Sequence, residues 1–124
     1  MKFLSRHESN AYLVLRLVFG FLFACHGASK IFGILGSPKV APGFTMHYLS
    51  GVIELVGGIL IFLGLFTRPV AFIVSGEMAV AYFSVHAKSG FFPIMNHGEL
   101  AVIYCFLALF IATRGHGKLG IDKT

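Results

Sequence analysis

The chain has 124 residues, of which 56% are hydrophobic and only 12% charged, with 14 Phe and a mean hydropathy of +0.84. A soluble domain carries about a quarter charged residues, so this composition excludes that class and indicates one small integral membrane domain, 1–124. The net charge of +5 does not point to nucleic acid, because Lys and Arg sit mostly at the ends of apolar segments, where they act as topology signals and lipid headgroup contacts.

Four apolar runs are predicted as helices, at about 11–33, 47–66, 69–87 and 97–114. Each holds roughly 18–23 residues, enough to cross a hydrocarbon core of about 30 Å. The first run competes with a signal-peptide reading of residues 1–25, in which Leu22-Phe23-Ala24-Cys25 imitates a lipoprotein cleavage box. Phe23 is too bulky beside a cleavage site and the run is too long, so a membrane helix is expected instead. Gly33 and the stretch from Gly36-Ser37-Pro38 to Pro42-Gly43 end this helix, Thr67-Arg68-Pro69 forms a tight turn with Pro at the start of the third, and Ser89-Gly90 through Pro93 and Asn96 connects to the fourth. Since unpaired backbone cannot sit in lipid, the expected fold is an all-α, four-transmembrane-helix up-and-down bundle.

Lys2, Arg6, Arg68, Arg114, Lys118 and Lys123 fall on one side, against Lys30, Lys39 and Lys88 at or beyond the other, which predicts cytoplasmic termini. Helices 2 and 4 share a faint repeat, Glu54-Leu55 leading to Thr67-Arg68 and Glu99-Leu100 leading to Thr113-Arg114, as in two related hairpins. Cys25 and Cys105 lie in apolar runs without a CxxC spacing and read as small buried hydrophobes.

Glu54, Glu77 and Glu99 are three of only five acidic residues, and each sits inside a membrane-length run. A carboxylate in a membrane helix costs about 2.5–3.5 kcal/mol at the bilayer centre, so it is expected to face the bundle interior with a partner, a proton path or a ligand. Arg16, His26 and Lys30 share an arc of about 80° on helix 1. Gly51, Glu54 and Gly58, with Gly57 beside them, offer helix 2 as a closely approachable face. His26, Lys30, Glu54 and Glu99 are therefore the candidates for ligand binding or proton handling; Arg16 with Glu77 is read as a structural ion pair toward the cytoplasmic half.

A quinone headgroup needs hydrogen-bonding partners at two carbonyls, an acid/base group and an apolar channel, and this set with the many Phe residues can supply them. The same residues can instead form buried ion pairs that only fix helix register. A metal site from His26, His86, His97, Glu54 and Glu99 is not expected, as no single helix carries a ligand spacing. No intrinsic cofactor motif or catalytic residue is identified, so an electron-transfer role needs a partner or a diffusible quinone.

The order of Arg16-Leu17, Gly20, His26-Gly27, Lys30, Phe32-Gly33, Glu54, Gly57-Gly58, Gly64-Leu65, Thr67-Arg68, Ala81, Gly90-Phe91-Phe92, Gly98-Glu99, Gly115-His116-Gly117 and Ile121-Asp122 resembles the DoxX family of small four-helix membrane proteins across nearly the whole chain. The resemblance implies a bacterial inner-membrane protein, in a family named after subunits associated with quinol oxidase and thiosulfate:quinone oxidoreductase systems. The leading expectation is a quinone-interacting, non-catalytic subunit beside a respiratory or sulfur-redox complex. The alternatives are a structural or assembly subunit without a ligand, and a small-molecule or proton transporter. Gly-rich helix faces also permit homo-oligomers.

Overall fold

The computed structural model describes residues 1–36, 38–43 and 45–122; Ser37 of the first expected loop and Lys123 of the basic tail lie outside them. Among the described residues every regular element is helical. A short α1 (Lys2–Arg6) leads into α2 (Glu8–Phe32), followed by α3 (Met46–Leu63) and α4 (Thr67–Ala81). Helix α4 continues through a π turn, Tyr82–His86, and a 3-10 turn, Ala87–Ser89, before the short α5 (Pro93–Asn96) and the long α6 (Glu99–Arg114).

Among the described residues three helices are long and apolar enough to cross a membrane: Glu8–Phe32, Met46–Leu63 and Thr67–Ser89. The fourth expected span is the 16-residue α6, about 24 Å long at 1.5 Å per residue. Large apolar side chains cover the outside of the molecule, among them Phe21, Phe72, Phe83 and Phe106. That is the reverse of a soluble surface and suits a multi-pass membrane protein.

The boundary between α3 and α4 differs from expectation. Gly64, at φ 69°, stops α3 in the left-handed conformation that glycine adopts without penalty. Helix α4 then begins at Thr67, two residues before the expected start, and Pro69 sits in its first turn, where it removes an N–H that had no helical partner anyway.

The helices pair as two hairpins, α2 with α3 and α4 with α6, and the two contact surfaces have different causes. Along α2 and α3, Gly20 meets Gly58 and Gly27 meets Gly51, each helix repeating its glycine after seven residues. A Cβ on Gly20 would lie 2.6 Å from the Phe62 nitrogen, so backbone here rests on backbone. Toward α6, by contrast, α2 is held off by aromatic rings: Phe19 and Phe23 each meet Tyr104 edge-on with centroids 5.4 Å apart. Ile61, Ala71, Val74, Ala108 and Ile111 are fully buried beside these rings.

At the end carrying both termini, the tail after α6 crosses the ends of the other helices. Tyr12 Oη donates to Gly115 O at 2.6 Å, and Arg114 pairs with Glu8 while its guanidinium stands 4.3 Å over the Tyr12 ring. Asp122 accepts from the Phe66 and Thr67 amides at 2.7 and 2.9 Å, which caps the start of α4 with a carboxylate from 55 residues further on. Its slight burial raises the carboxyl pKa, but the two amide bonds outweigh this and hold it below the usual Asp value. A depressed pKa stabilises the fold fully above the ordinary value and is lost as pH falls through the lowered one. The Phe66 and Thr67 amides should therefore be protected from hydrogen exchange at neutral pH and lose that protection as pH drops below about 4. In Asp122→Ala they should already exchange at neutral pH.

Candidate functional site

Lys30 lies in the last turn of α2 and Ser50 in the first turns of α3, with Glu54 one turn further along and Glu77 ten residues after Thr67 on α4. The antiparallel glycine crossing brings α2 and α3 close enough for the Lys30 ammonium to sit 2.5 Å from Glu54 Oε2 and 3.0 Å from Ser50 Oγ. Glu54 is only 3% exposed. Ser50 Oγ is also hydrogen-bonded to Glu54 Oε2 and to Glu77 Oε1, and so joins three helices at one atom.

A serine hydroxyl has one hydrogen and can donate to one carboxylate; a second carboxyl bonded to the same oxygen must bring its own proton. The cluster is then one ammonium, one carboxylate and one neutral carboxyl, with no net charge to bury. A proton can pass between Glu54 and Glu77 by reversing the hydroxyl's two bonds. Glu77 Oε2 is buried and has no hydrogen-bond partner among the described residues.

Beside this cluster, α3 and the C-terminal half of α4 line a cleft of about 780 Å³. Lys30, Ser50 and Glu77 supply one polar wall, and the remainder is largely apolar, including Leu49, Ile53, Ile73 and Val80. His47, His86 and Lys88 stand where the cleft approaches the helix ends. The π turn at Tyr82–His86 widens the helix just there, and the following segment is tied back by Asn96, which bonds Tyr82 Oη, Gly90 O and the Gly98 amide. The backbone oxygen of Asn96 lies 3.1 Å from His86 Nδ1.

The expected residues are thus divided. Lys30 and Glu54 meet; His26 and Glu99 are exposed and lie outside the cluster. His26 stands about 40° beyond Lys30 around α2, enough to turn it from the interior to an edge-on contact with Tyr104. Glu99 opens α6, where a carboxylate faces the positive end of the helix.

The expected Arg16–Glu77 pair does not form. Arg16 is 1% exposed and donates to the backbone oxygens of Phe62, His116, Lys118 and Leu119, all at the terminal end, while Glu77 bonds Ser50 a membrane half away. Starting α4 at Thr67 puts Glu77 about 15 Å along the helix, level with Ser50 rather than with Arg16. Arg68 treats α6 as Arg16 treats α3, donating to the oxygens of Ala112, Thr113 and Arg114.

Ser50, Glu77 and the cleft histidine His47 were not among the sequence candidates for ligand binding. A signal for Ser50 existed in its spacing, four residues before Glu54 on the same helix face. Cys25 and Cys105 are free thiols, and no group of three or more His, Cys, Asp or Glu side chains converges among the described residues.

A protein-family model described as DoxX matches residues 11–87. An uncharacterized protein of Haemophilus influenzae is 42% identical over 129 aligned residues, covering 99% of this chain and 96% of the relative. A Bacillus subtilis protein described as "Putative oxidoreductase CatD" is 32% identical over 115 residues, covering 89% of this chain and 83% of the relative. No solved structure matches.

Proposed function

We propose a role that proceeds from one premise: the chain belongs to the DoxX family. It acts as a quinone-interacting accessory subunit of a membrane oxidoreductase in the respiratory or sulfur-redox class, in the bacterial inner membrane with both termini cytoplasmic. The Bacillus relative's oxidoreductase description supports the broad class. In this reading α6 also spans, completing a four-helix bundle. It turns Ile103, Phe106, Leu109 and Phe110 outward, as the other helices do.

The observation that carries the reading is the cleft itself. Its volume falls in the range of about 300–1,000 Å³ that holds small ligands, and it combines apolar walls with a compact acid/base corner. The donor set suits a quinone: Lys30 offers an ammonium, Glu77 an acid with a free oxygen, and His47 and His86 further polar contacts near the mouth. When bound, the quinone/quinol couple exchanges two electrons and two protons, the electrons with a redox centre of the partner oxidoreductase. Lys30 orients a carbonyl oxygen, Glu77 turns its proton from Ser50 to the cleft, and Ser50 then donates its hydroxyl hydrogen to the Glu77 carboxylate. The Glu54 carboxylate keeps Lys30 charged and placed.

The test is mass spectrometry of lipid-soluble molecules that co-purify with the protein in mild detergent. Native protein should carry quinone, and folded Glu77→Gln should bind it about tenfold more weakly, about 1.4 kcal/mol. Native protein that carries none, while its partner complex stays intact, would end the quinone reading.

A further inference from the structure

Helices α2, α3, α4 and α6 differ sharply above and below the Ser50 cluster. Toward the termini, the α3 stretch from Leu55 to Ile61 and the α4 stretch from Pro69 to Gly76 carry no ionisable side chain. Phe19, Phe23, Ile61, Ala71, Val74, Ala108 and Ile111 fill the space between them and are at most 2% exposed. The polar groups in that layer are Ser75, which donates to Cys105 O at 2.8 Å, the Cys105 thiol beside it, and Tyr104, whose ring packs against Phe19 and Phe23. Beyond it Nη1 and Nη2 of Arg16 donate to backbone oxygens, and the tail lies across the helix ends. From Glu54 to Phe62 this apolar layer is about 12 Å deep.

In the other direction the cluster opens into the cleft, whose lining runs from Glu77 past Ser84 and His86 to Lys88, and along α3 from Ser50 to His47 and Met46. Among largely apolar neighbours, Ser84, His86, Lys88 and His47 bring hydroxyl, imidazole and ammonium groups, able to hold water and pass a proton.

We infer that Glu77 is the group through which the cleft exchanges protons, and that it exchanges them only with the membrane face opposite the chain termini. The Glu77 carboxyl gives its proton to an acceptor in the cleft and becomes a carboxylate; Ser50 turns its hydroxyl hydrogen toward it. A proton from water at the His47–His86–Lys88 mouth restores the carboxyl, so one proton enters for each one given. Lys30, Glu54, His47, His86 and Lys88 are the charged or titratable groups around this route. The apolar layer denies the protein a through path, which separates a one-sided proton site from a channel. The inference holds for any proton-accepting ligand and does not depend on the quinone reading.

The experiment is cysteine accessibility in sealed membrane vesicles of both orientations, with Cys25 and Cys105 replaced by Ala. Ser50→Cys and Ala81→Cys report the cleft from two helices, and Thr113→Cys marks the terminal side. A membrane-impermeant cationic methanethiosulfonate should label both cleft positions from the face opposite Thr113→Cys, with complete loss of labelling from the other face. Labelling from the terminal face, from both faces or from neither overturns the inference. Independently, the infrared band of a protonated carboxyl should be present in the native protein and lost in Glu77→Gln; its persistence in that variant overturns the assignment to Glu77. A quinone-free protein with the expected labelling would end only the quinone reading.

Discussion

Arg16→Met should lower the stability of the detergent-solubilised protein by about 3–5 kcal/mol and release the tail to trypsin at Lys118. Methionine fills much of the volume, so packing is not the main loss. Arg16 donates to four backbone oxygens from a position only 1% exposed, and hydrogen bonds to a charged group contribute about 1.5–3 kcal/mol each. A buried ion pair can often be replaced by two apolar residues. These partners are main-chain carbonyls and cannot be substituted away. Arg16→Lys should recover only part of the stability, because an ammonium lacks the planar fork that reaches both α3 and the tail. Thermal melting together with the rate of cleavage at Lys118 separates these outcomes. Unchanged melting in Arg16→Met would mean that the tail contributes nothing to holding the bundle.

Gly27→Leu should prevent the protein from accumulating in the membrane, and even Gly27→Ala should cost about 2–3 kcal/mol. A Cβ at Gly27 would stand 2.6 Å from the Leu55 Cα and 2.7 Å from the Gly51 carbonyl oxygen. Backbone cannot rotate aside as a long side chain would, so α2 and α3 must separate, and Lys30 then moves away from Glu54. In lipid, where apolar surface has little to gain by leaving one apolar medium for another, the loss of close packing is not offset elsewhere. Gly76 is the control, since a Cβ there meets nothing within 4 Å. Gly76→Ala should be neutral, or more stable by up to about 1 kcal/mol through helix propensity. Expression level and melting temperature of the three variants decide the matter.

The glycine crossing was partly legible beforehand. Gly51 and Gly58 were already visible as one face of a helix, and the crossing shows that face pressed against Gly27 and Gly20. Lys30 with Glu54 was one of several pairings that a shared membrane depth allowed. His26 was grouped with Lys30 by an angular argument whose width, about 80°, spans the distance from interior to surface. Charge alone pairs Glu77 with Arg16, but Arg16 finds its partners in carbonyls at the end of α3 and in the tail, 46 to 103 residues away. No side-chain pairing rule anticipates that choice.

Membrane residence, the helices and their approximate limits follow from sequence alone, because a bilayer accepts only long apolar stretches whose backbone bonds to itself, and glycine and proline mark where those stretches stop. The company each polar residue keeps was decided by tertiary structure. Helix rotation and crossing set it, and these depend on which backbones can touch: at Gly20, Gly27, Gly51 and Gly58 they can, while Phe19, Phe23 and Tyr104 hold α6 at ring distance. A rotation of about 40° separates a residue in the cluster from one facing outward. That choice placed Glu77 at the cleft and His26 at the surface.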